Sequence, residues 1–421
     1  MSQDLVVKAL AAACGETREG AEPDAIGGIG GIVPAFVVAP GSTDEAAAVL
    51  AAAAEHDLAV VARGAGGRLD WGMPPSRCDV LVDMSRMSSV VEHSSGDLVA
   101  RLQAGARMGD VAAVLARDGQ ELALDVPAGA TVGGVVANGL AGPRRLRYGT
   151  PRDLLIGITI VRADGTVARS GGKVVKNVAG YDLGKLLAGS AGTLALITEA
   201  TFRLHPLPAA RAYVTAEYTS ATIACDAVAA AANSPLVASA VELSQPGPAG
   251  PIRIATLLEG SSEGVAARAM RMADLLGPAE TAPDPPPWWG GAPDAEGGTL
   301  IRVSCWVSAL PTVLESVARA TGDAGVPAAV GGPAGAGVLY LRPDPDASAE
   351  ATAGLVRALR AALPGPRGGV VVLAAPAEVR EALAACGGMA GSVPGLALMR
   401  AVKDQFDPGH RMAPGRFPDA M

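Results

Sequence analysis

Residues 127–200 constrain the fold more than any other part of the chain, because they are dense in glycine-containing turns. The turns lie at 127–134 (PAGATVGG), 138–145 (NGLAGPRR), 176–183 (KNVAGYDL) and 189–193 (GSAGT). Glycine costs roughly 0.5–1 kcal/mol in a helix or strand interior relative to alanine, so it occurs where the backbone bends or lies close to another group. Main-chain N–H groups without side-chain bulk can contact a pyrophosphate. We therefore expect this stretch to cradle a dinucleotide or a similar anionic cofactor.

A second candidate phosphate loop lies at residues 63–72 (RGAGGRLDWG), directly after a predicted strand at 58–62. It is not a P-loop, because it lacks the Gly-Lys-Ser/Thr sequence. It is not a Rossmann fingerprint either, because no helical pattern follows it directly. Residues 27–31 (GGIGG) fail the same test, so an NAD-binding Rossmann enzyme is poorly supported. Taken alone, the loop at 63–72 is explained equally well as a surface turn.

The composition argues against several classes of function. Of the 421 residues, 34 are Lys or Arg and 42 are Asp or Glu; the resulting net charge of −8 argues against nucleic acid as the main partner. The five cysteines include no C-x-x-C pair, which indicates reduced thiols and argues against an iron–sulfur cluster held by this chain alone. Without a basic leader or a bilayer-length apolar run, we expect a cytoplasmic protein, with any association at the inner face of the membrane made through partners.

The chain divides into four predicted segments. They are an N-terminal helix and loop (1–29), a first domain (30–208), an α+β second domain (209–395) and a C-terminal helix with a closing turn (396–421). The second domain alternates strands with helices in the manner of ferredoxin-like strand–helix–strand units. Its proline-rich insert at 277–298 is interpreted as a loop insertion or a disordered excursion. We expect the closing turn to fold back onto the first domain.

The first domain opens with a recognisable strand–helix–strand unit. Ser42 and Glu45 have the spacing of a capping box, which predicts a helix over 43–55. Short β-type segments at 34–39 and 58–62 flank this helix. This alternation is typical of a chain that packs helices against a sheet.

The glycine-rich motifs resemble a known family. In their order and spacing they are similar to the FAD-binding domain shared by vanillyl-alcohol oxidase and para-cresol methylhydroxylase, over about residues 30–208. The resemblance implies an α+β fold: a two-subdomain FAD-binding domain of the vanillyl-alcohol oxidase type, followed by an α+β ferredoxin-like cap domain. The sequences GPRR and KNVAGYD, with FDPG and PGR near the C-terminus, resemble the FAD-binding accessory subunits of bacterial glycolate oxidases.

The resemblance also implies where FAD binds. Backbone amides of the 64–68 loop would contact the pyrophosphate, and Ile197 would lie beside the adenine. In this loop, relatives carry more glycine and a Thr or Ser followed by Lys, which leaves its side-chain contacts open. No His or Cys falls where some relatives attach flavin covalently, so non-covalent FAD is implied. The implied cofactor-binding residues are Gly64, Ala65, Gly66, Gly67, Arg68, Pro127, Thr131, Gly133, Gly134, Asn138, Gly142 and Ile197.

Four further residues are candidates for the substrate side or the flavin side of the site: Arg144, Arg145, Asn177 and Tyr181. An arginine offers a bidentate fork for a phosphate or a carboxylate. A solvated surface pair or an inter-subunit contact explains Arg144 and Arg145 equally well. Asn177 and Tyr181 could orient the isoalloxazine ring or serve a local structural role.

The histidines bear most on mechanism. The four are His56, His93, His205 and His410, so none lies between residues 206 and 409. The dehydrogenases that this chain resembles use histidines and a carboxylate in that region, often around a metal, and histidine suits such work at neutral pH. We therefore leave the catalytic residues unassigned, predict no metal site, and hold open only His410 in the closing turn.

These features predict an oxidoreductase subunit. It would bind FAD and work beside a catalytic flavoprotein and an iron–sulfur subunit in a glycolate (2-hydroxyacid) oxidase complex. One alternative is a self-sufficient FAD-dependent oxidoreductase of a 2-hydroxyacid or alcohol, with Arg, Tyr or Asp as the base. A second is a non-catalytic scaffold with the same fold, against which the intact glycine turns argue.

Overall fold

The computed structural model describes residues 3–19, 29–173, 181–248, 250–290, 297–363 and 368–416. The chain forms two compact units. The first unit comprises residues 1–141, 150–207 and 393–421, and the second comprises 142–149 and 208–392. The short segment 142–149 therefore packs with the second unit, although it lies inside the segment 30–208 that the sequence assigns to the first domain.

The first unit is a mixture of short helices and strands. Its helices are Gln3–Ala13, Thr43–Glu55, Met108–Ala116, Val132–Asn138, Pro151–Leu154, Gly184–Leu187 and Leu396–Phe406. Its strands are β1 (Thr17–Glu19), β2 (Phe36–Val38), β3 (Val60–Arg63), β4 (Val80–Asp83), β5 (Val90–Ser94), β6 (Val99–Gln103), β7 (Gln120–Glu121), β8 (Leu155–Val161), β9 (Val167–Gly171), β10 (Leu196–Arg203) and β11 (His205–Pro206).

Two principal sheets organise the first unit. One has the order β1-β2-β4-β3, in which β4 pairs parallel to both of its neighbours. The other is antiparallel, with the order β5-β6-β10-β8-β9, and β7 pairs with β11 separately. A single hydrophobic core joins Val80 of the first sheet to Leu102 and Phe202 of the second. The predicted two-subdomain α+β architecture is confirmed.

The helix Thr43–Glu55 shows how the sequence sets local structure. The Ser42 side chain accepts a hydrogen bond from the Glu45 N–H at 3.1 Å, which caps the helix. The Glu45 carboxylate instead accepts from the Gly41 N–H at 2.8 Å. The buried side chains follow one face at helical spacing, namely Ala46, Val49, Leu50 and Ala53. The predicted bounds of this helix are confirmed.

The second unit is built on one large antiparallel sheet. Its strands are β12 (Ala210–Tyr218), β13 (Ala240–Gln245), β14 (Ile252–Gly260), β15 (Ala279–Ala282), β16 (Leu300–Cys305), β17 (Ala328–Gly332), β18 (Val338–Pro343) and β19 (Gly368–Ala374). The strand order in the sheet is β15-β12-β14-β13-β17-β18-β16-β19. The helices are Arg145–Tyr148, Ala221–Asn233, Ser262–Leu276, Leu310–Ala324, Ala349–Ala362 and Ala377–Ala384. This sheet with its strand–helix alternation agrees with the predicted cap domain.

The proline-rich insert at 277–298 corrects the sequence-based interpretation, because it is more than a loop. Its Ala279–Ala282 segment pairs with β12 as an edge strand, a position that tolerates nearby prolines. The Trp289 ring packs edge-to-face on Tyr213, with ring centroids 5.0 Å apart. The next N–H, of Gly290, donates to the Glu242 carboxylate at 2.7 Å.

The C-terminal turn folds back onto the first unit, as predicted. Met412 forms a parallel bridge with Val60 of β3. The Ala413 N–H donates to the Val60 carbonyl, and the Ser76 N–H donates to the Pro414 carbonyl at 2.7 Å. The last described residues are therefore held by main-chain hydrogen bonds.

The cysteines are free thiols, and three of them, Cys14, Cys78 and Cys225, are buried. Burial raises the pKa of Cys78 to about 12, so this thiol stays protonated at neutral pH. Cys305 and Cys386 are partly exposed. Among the described residues, no helix combines the length and the apolar character needed to span a membrane.

Candidate functional site

A cavity in the first unit collects nearly all of the residues that the sequence assigns to the cofactor. It lies where the loop after β3 faces the turn that precedes helix Val132–Asn138. The predicted residues that line it are Gly64, Ala65, Gly66, Gly67, Arg68, Pro127, Thr131, Gly133, Gly134, Asn138 and Ile197. Their role in binding remains a prediction, but the fold brings them to one place.

The loop at 64–67 offers main-chain donors to the cavity. Gly66 has φ +83°, a left-handed conformation that reverses the direction of successive N–H groups. Across the part of the chain that the structure describes, no group accepts a hydrogen bond from the amides of Ala65, Gly66 or Gly67. Successive free amides in such a turn form an anion-binding concavity.

Glycine is present at positions 64 and 67 of this loop for different physical reasons. A Cβ on Gly64 would lie 2.0 Å from Thr131 Oγ1, so close packing requires glycine there. A Cβ on Gly67 would meet nothing within 4 Å, and the φ of Gly67 is not in the left-handed region. Neither packing nor backbone conformation therefore explains Gly67, whereas the close approach of a ligand to its main chain would.

Residues 131–138, on the side of the cavity opposite the loop at 64–67, offer few free hydrogen-bond donors. Thr131 caps helix Val132–Asn138, and its Oγ1 accepts from the Gly134 N–H at 3.4 Å. The Gly133 N–H donates to the Ala104 carbonyl at 2.7 Å. The Asn138 amide donates to the Gly134 carbonyl at 2.9 Å. These donors are engaged within the protein, so the loop at 64–67 is the better source of free amides.

Ile197 lies at an irregularity of β10. The register with β8 shifts between Ile197 and Glu199, and the intervening Thr198 hydroxyl donates to the Thr159 carbonyl at 3.3 Å. A bulge interrupts the ladder locally and can redirect main-chain groups. This geometry fits the expectation that main-chain polar groups near Ile197 lie beside the adenine ring of FAD.

Three guanidinium groups give the cavity a positive lining. Arg63 donates to the Asp83 carboxylate, and Arg68 lies over the Trp71 ring, 4.8 Å from its centroid. Arg416 from the C-terminal turn is the third, and the sequence analysis missed it. Burial alone would raise the pKa of Asp83, but the hydrogen bonds from Arg63 and Ser85, together with the Arg63 charge, outweigh it and lower that pKa. No carboxylate occurs among the described residues that line the cavity, so an anion fits it.

The remaining candidates are not in this cavity. Gly142, Arg144 and Arg145 belong to the second unit. Tyr181 is 89% exposed. Asn177 lies outside the described residues.

Arg144 is part of a buried charge network in the second unit. Its Nη1 lies 3.4 Å from Glu259 Oε1, and Arg211 Nε lies 2.9 Å from the same oxygen. The Tyr148 hydroxyl donates to Glu259 Oε2 at 3.0 Å. Burial and the Glu259 charge raise the pKa of Tyr148 to about 12. Arg144 therefore contacts a buried carboxylate of the second unit, and its expected role at a ligand stays a prediction.

Arg302 on β16 is a second residue that the sequence analysis missed. Its Nε is buried, and no described residue accepts a hydrogen bond from it. Its register partner on β18 is Tyr340. Burial lowers the pKa of Arg302, Tyr340 opposes this effect, and the positive charge of Arg145 adds to it. A buried donor without an acceptor is costly, so the Nε of Arg302 marks a position suited to a small anion.

Two of the four histidines make polar contacts away from the cavity. His93 Nε2 lies 3.0 Å from Gln120 Oε1, and its Nδ1 lies 3.3 Å from Asp118. His410 Nε2 lies 3.0 Å from Asp404 Oδ1, on a side chain that does not line the cavity. Within the described ranges, no group of three or more His, Cys, Asp or Glu side chains is placed to hold a metal.

Comparison with a protein-family model gives one match: residues 34–171 match the FAD binding domain family. Among curated proteins, glycolate oxidase subunit GlcD of Bacillus subtilis is 33% identical over 217 residues, which are 51% of this chain and 46% of that protein. Glycolate oxidase subunit GlcE of Escherichia coli is 36% identical over 154 residues, 36% of this chain and 43% of that protein. A mitochondrial D-lactate dehydrogenase [cytochrome] of Saccharomyces cerevisiae is 34% identical, over 50% of this chain and 35% of that protein.

The matches therefore span less than half the length of these relatives. Among solved structures, p-cresol methylhydroxylase aligns with a TM-score of 0.74 at 17% identity, over 99% of this chain and 97% of that one. Alkyldihydroxyacetonephosphate synthase aligns with a TM-score of 0.66 at 17% identity, over 91% of this chain and 76% of that one. The predicted resemblance in fold to p-cresol methylhydroxylase is confirmed.

Proposed function

We propose that this chain, whose residues 34–171 match the FAD binding domain family, is the non-covalent FAD-binding subunit of a 2-hydroxyacid oxidase or dehydrogenase complex. Glycolate is the substrate we favour, because two of the similar curated proteins are glycolate oxidase subunits. The chain would support flavin-mediated electron transfer together with a catalytic flavoprotein and an iron–sulfur subunit.

The observation that carries the proposal is the contrast between a well-formed anion cradle and the lack of a base beside it. The free amides at 65–67 and the guanidiniums of Arg63, Arg68 and Arg416 suit a pyrophosphate. The described cavity lining includes no His, Cys, Tyr, Lys, Asp or Glu. It therefore offers no imidazole or thiol for covalent attachment of a flavin, which supports non-covalent FAD.

Oxidation of a 2-hydroxyacid to a 2-oxoacid removes a hydride from carbon and a proton from the hydroxyl. Bound FAD supplies the two-electron acceptor. The hydroxyl proton needs a base whose pKa lies near the working pH. Tyr148, with its pKa raised to about 12, remains protonated, and Glu259, with its pKa lowered, is a weak base. A catalytic partner subunit would supply the missing base.

One observation favours a second candidate function, a self-sufficient FAD-dependent oxidoreductase. The guanidinium of Arg302, whose buried Nε has no acceptor among the described residues, suits a carboxylate, and every 2-hydroxyacid carries one. Under this alternative, Arg302→Gln would weaken glycolate binding at least tenfold. Arg253→Gln is the matched control, since Arg253 on the same sheet is already paired with Glu217 at 2.9 Å.

The deciding experiment is an anaerobic absorbance titration of the purified chain loaded with FAD. Glycolate is added first, then D-lactate, and finally dithionite to show that the bound flavin can be reduced. We expect the flavin to stay oxidised with both hydroxyacids and to bleach with dithionite. Bleaching by either hydroxyacid at an enzymatic rate would replace the subunit proposal with the self-sufficient enzyme. Failure to bind FAD at all would leave only a scaffold.

A further inference from the structure

Arg416 contacts the loop at 63–72, although it lies far outside residues 34–171, which match the FAD binding domain family. Its Nη2 donates to the Leu69 carbonyl, and its Nη1 lies 3.5 Å from the Trp71 carbonyl. The side chain also lines the cavity beside Arg68. The two terminal nitrogens of Arg416 thus hold main-chain carbonyls that follow the free amides of residues 65–67 in the chain.

Unlike the two terminal nitrogens, the Nε of Arg416 donates no hydrogen bond to a described residue. This nitrogen is buried. Burial lowers the pKa of Arg416, and the charge of the nearby Asp70 only partly opposes this. A charged donor that is buried and unmatched is costly unless an anion completes it.

The C-terminal segment that carries Arg416 is held firmly in place. The Lys403 ammonium donates to the Thr193 carbonyl at 2.6 Å and to the Met412 carbonyl at 3.0 Å. The Ser76 N–H donates to the Pro414 carbonyl two residues before Arg416. Arg416 therefore enters the cavity from a fixed backbone, as a preorganised ligand-binding group should.

We propose that Arg416 is a cofactor-binding residue whose guanidinium charge serves the pyrophosphate of FAD, while its terminal nitrogens hold the loop at 66–71 in shape. The inference rests on FAD binding by the first unit and is independent of which subunit performs catalysis. It makes the C-terminal turn a required part of a site that the family match alone would confine to the N-terminal half.

The test compares Arg416→Gln with Arg411→Gln in the full-length chain. Arg411 lies in the same turn but does not line the cavity, and its side chain is 3.9 Å from Asp57. The apo-proteins are titrated with FAD, ADP and riboflavin, and affinity is measured by flavin fluorescence or calorimetry. The Tm of each apo-protein reports on folding.

We expect Arg416→Gln to weaken FAD and ADP at least tenfold, with riboflavin unchanged, because only FAD and ADP contain a pyrophosphate. Arg411→Gln should bind all three like the wild type. Equal FAD affinity in Arg416→Gln and wild type would overturn the inference. If Arg416→Gln folds poorly, Arg416→Lys takes its place: it keeps the charge but not the fork, and wild-type FAD affinity in that variant would also contradict the assigned role. Lack of FAD binding by the wild type would instead count against the proposed function.

Discussion

The Nζ of Lys403 lies 2.6 Å from Oδ2 of Asp407, and both side chains are completely buried. The pair is saturated with further bonds, because Asp407 also accepts from the N–H groups of Arg411 and Met412. Removing one member leaves the other charge buried without its partner, which costs about 3–5 kcal/mol. The pair therefore locks the C-terminal turn onto the first unit.

We expect Lys403→Met to lower the unfolding free energy of the first unit by about 3 kcal/mol or more, measured by denaturant titration. FAD affinity should fall as well, since Lys403 also binds the Thr193 carbonyl, next to Gly192 of the cavity lining. Lys185→Met is the control: Lys185 is half-exposed and paired with Asp182 at 3.0 Å, so its loss should cost under about 1 kcal/mol. Equal stability of the two variants would contradict this account.

Gly64 packs so closely against the Thr131 side chain that no side chain fits at position 64. Gly64→Ala places a Cβ 2.0 Å from Thr131 Oγ1, and overpacking of this kind costs roughly 1–3 kcal/mol. Thr131→Ala removes the helix cap and should cost about 1 kcal/mol. The double variant should be more stable than the sum of the two single effects predicts, because removing the hydroxyl relieves the clash. Additive losses in a double-mutant cycle would refute the assigned contact.

Gly67 tests the cradle without disturbing the fold. Gly67→Ala should leave the apo-protein Tm nearly unchanged, since its Cβ would meet no protein atom within 4 Å. It should nevertheless weaken FAD binding about tenfold, by placing a methyl group where a ligand contacts the main chain. Gly96→Ala is the matched control, because Gly96 has equal free space but does not line the cavity. Unchanged FAD affinity in Gly67→Ala would mean that the cofactor does not approach this residue.

The sequence predicted those structural features that depend on residues close together in the chain. The capped helix at 43–55 and the turn containing Gly66 are set by local chemistry, and both lie where expected. Arg302 and Arg416 could not be identified this way, because nothing in their own segments shows that a buried Nε lacks a partner. The edge strand Ala279–Ala282 was missed because the surrounding prolines suggested a loop.

Arg144 shows the converse limit of sequence reasoning. Its position after a glycine turn suggested a ligand clamp, yet its guanidinium is committed to Glu259, 115 residues away in sequence. Only the tertiary fold brings that carboxylate to it. The same fold decides which of the two adjacent arginines is engaged with Glu259 and which lies near Arg302.

Glu259 should make the second unit sensitive to acid. Burial raises its pKa, but the charges of Arg144 and Arg211 and the hydrogen bonds to the carboxylate together outweigh this effect, so the folded pKa lies below the ordinary value of 4.5. The ionised carboxylate then stabilises the fold above that value, and this stabilisation is lost as the pH falls through the folded pKa. At pH 7, Glu259→Gln should cost roughly 3 kcal/mol, because two arginines lose their buried partner.

The pH dependence of the unfolding free energy shows whether Glu259→Gln destabilises the unit by removing a charge or by disturbing its packing. As the wild-type carboxyl becomes protonated in acid, the stability gap between wild type and Glu259→Gln should narrow. Tryptophan fluorescence suits the measurement, since only Trp71 of the four tryptophans lies in the first unit. Glu217→Gln is the control, because Glu217 is 61% exposed in its pair with Arg253 and should change stability by under about 1 kcal/mol at either pH. A gap that stays constant down to pH 3 would show that Glu259 contributes shape alone and that its charge does not stabilise the unit.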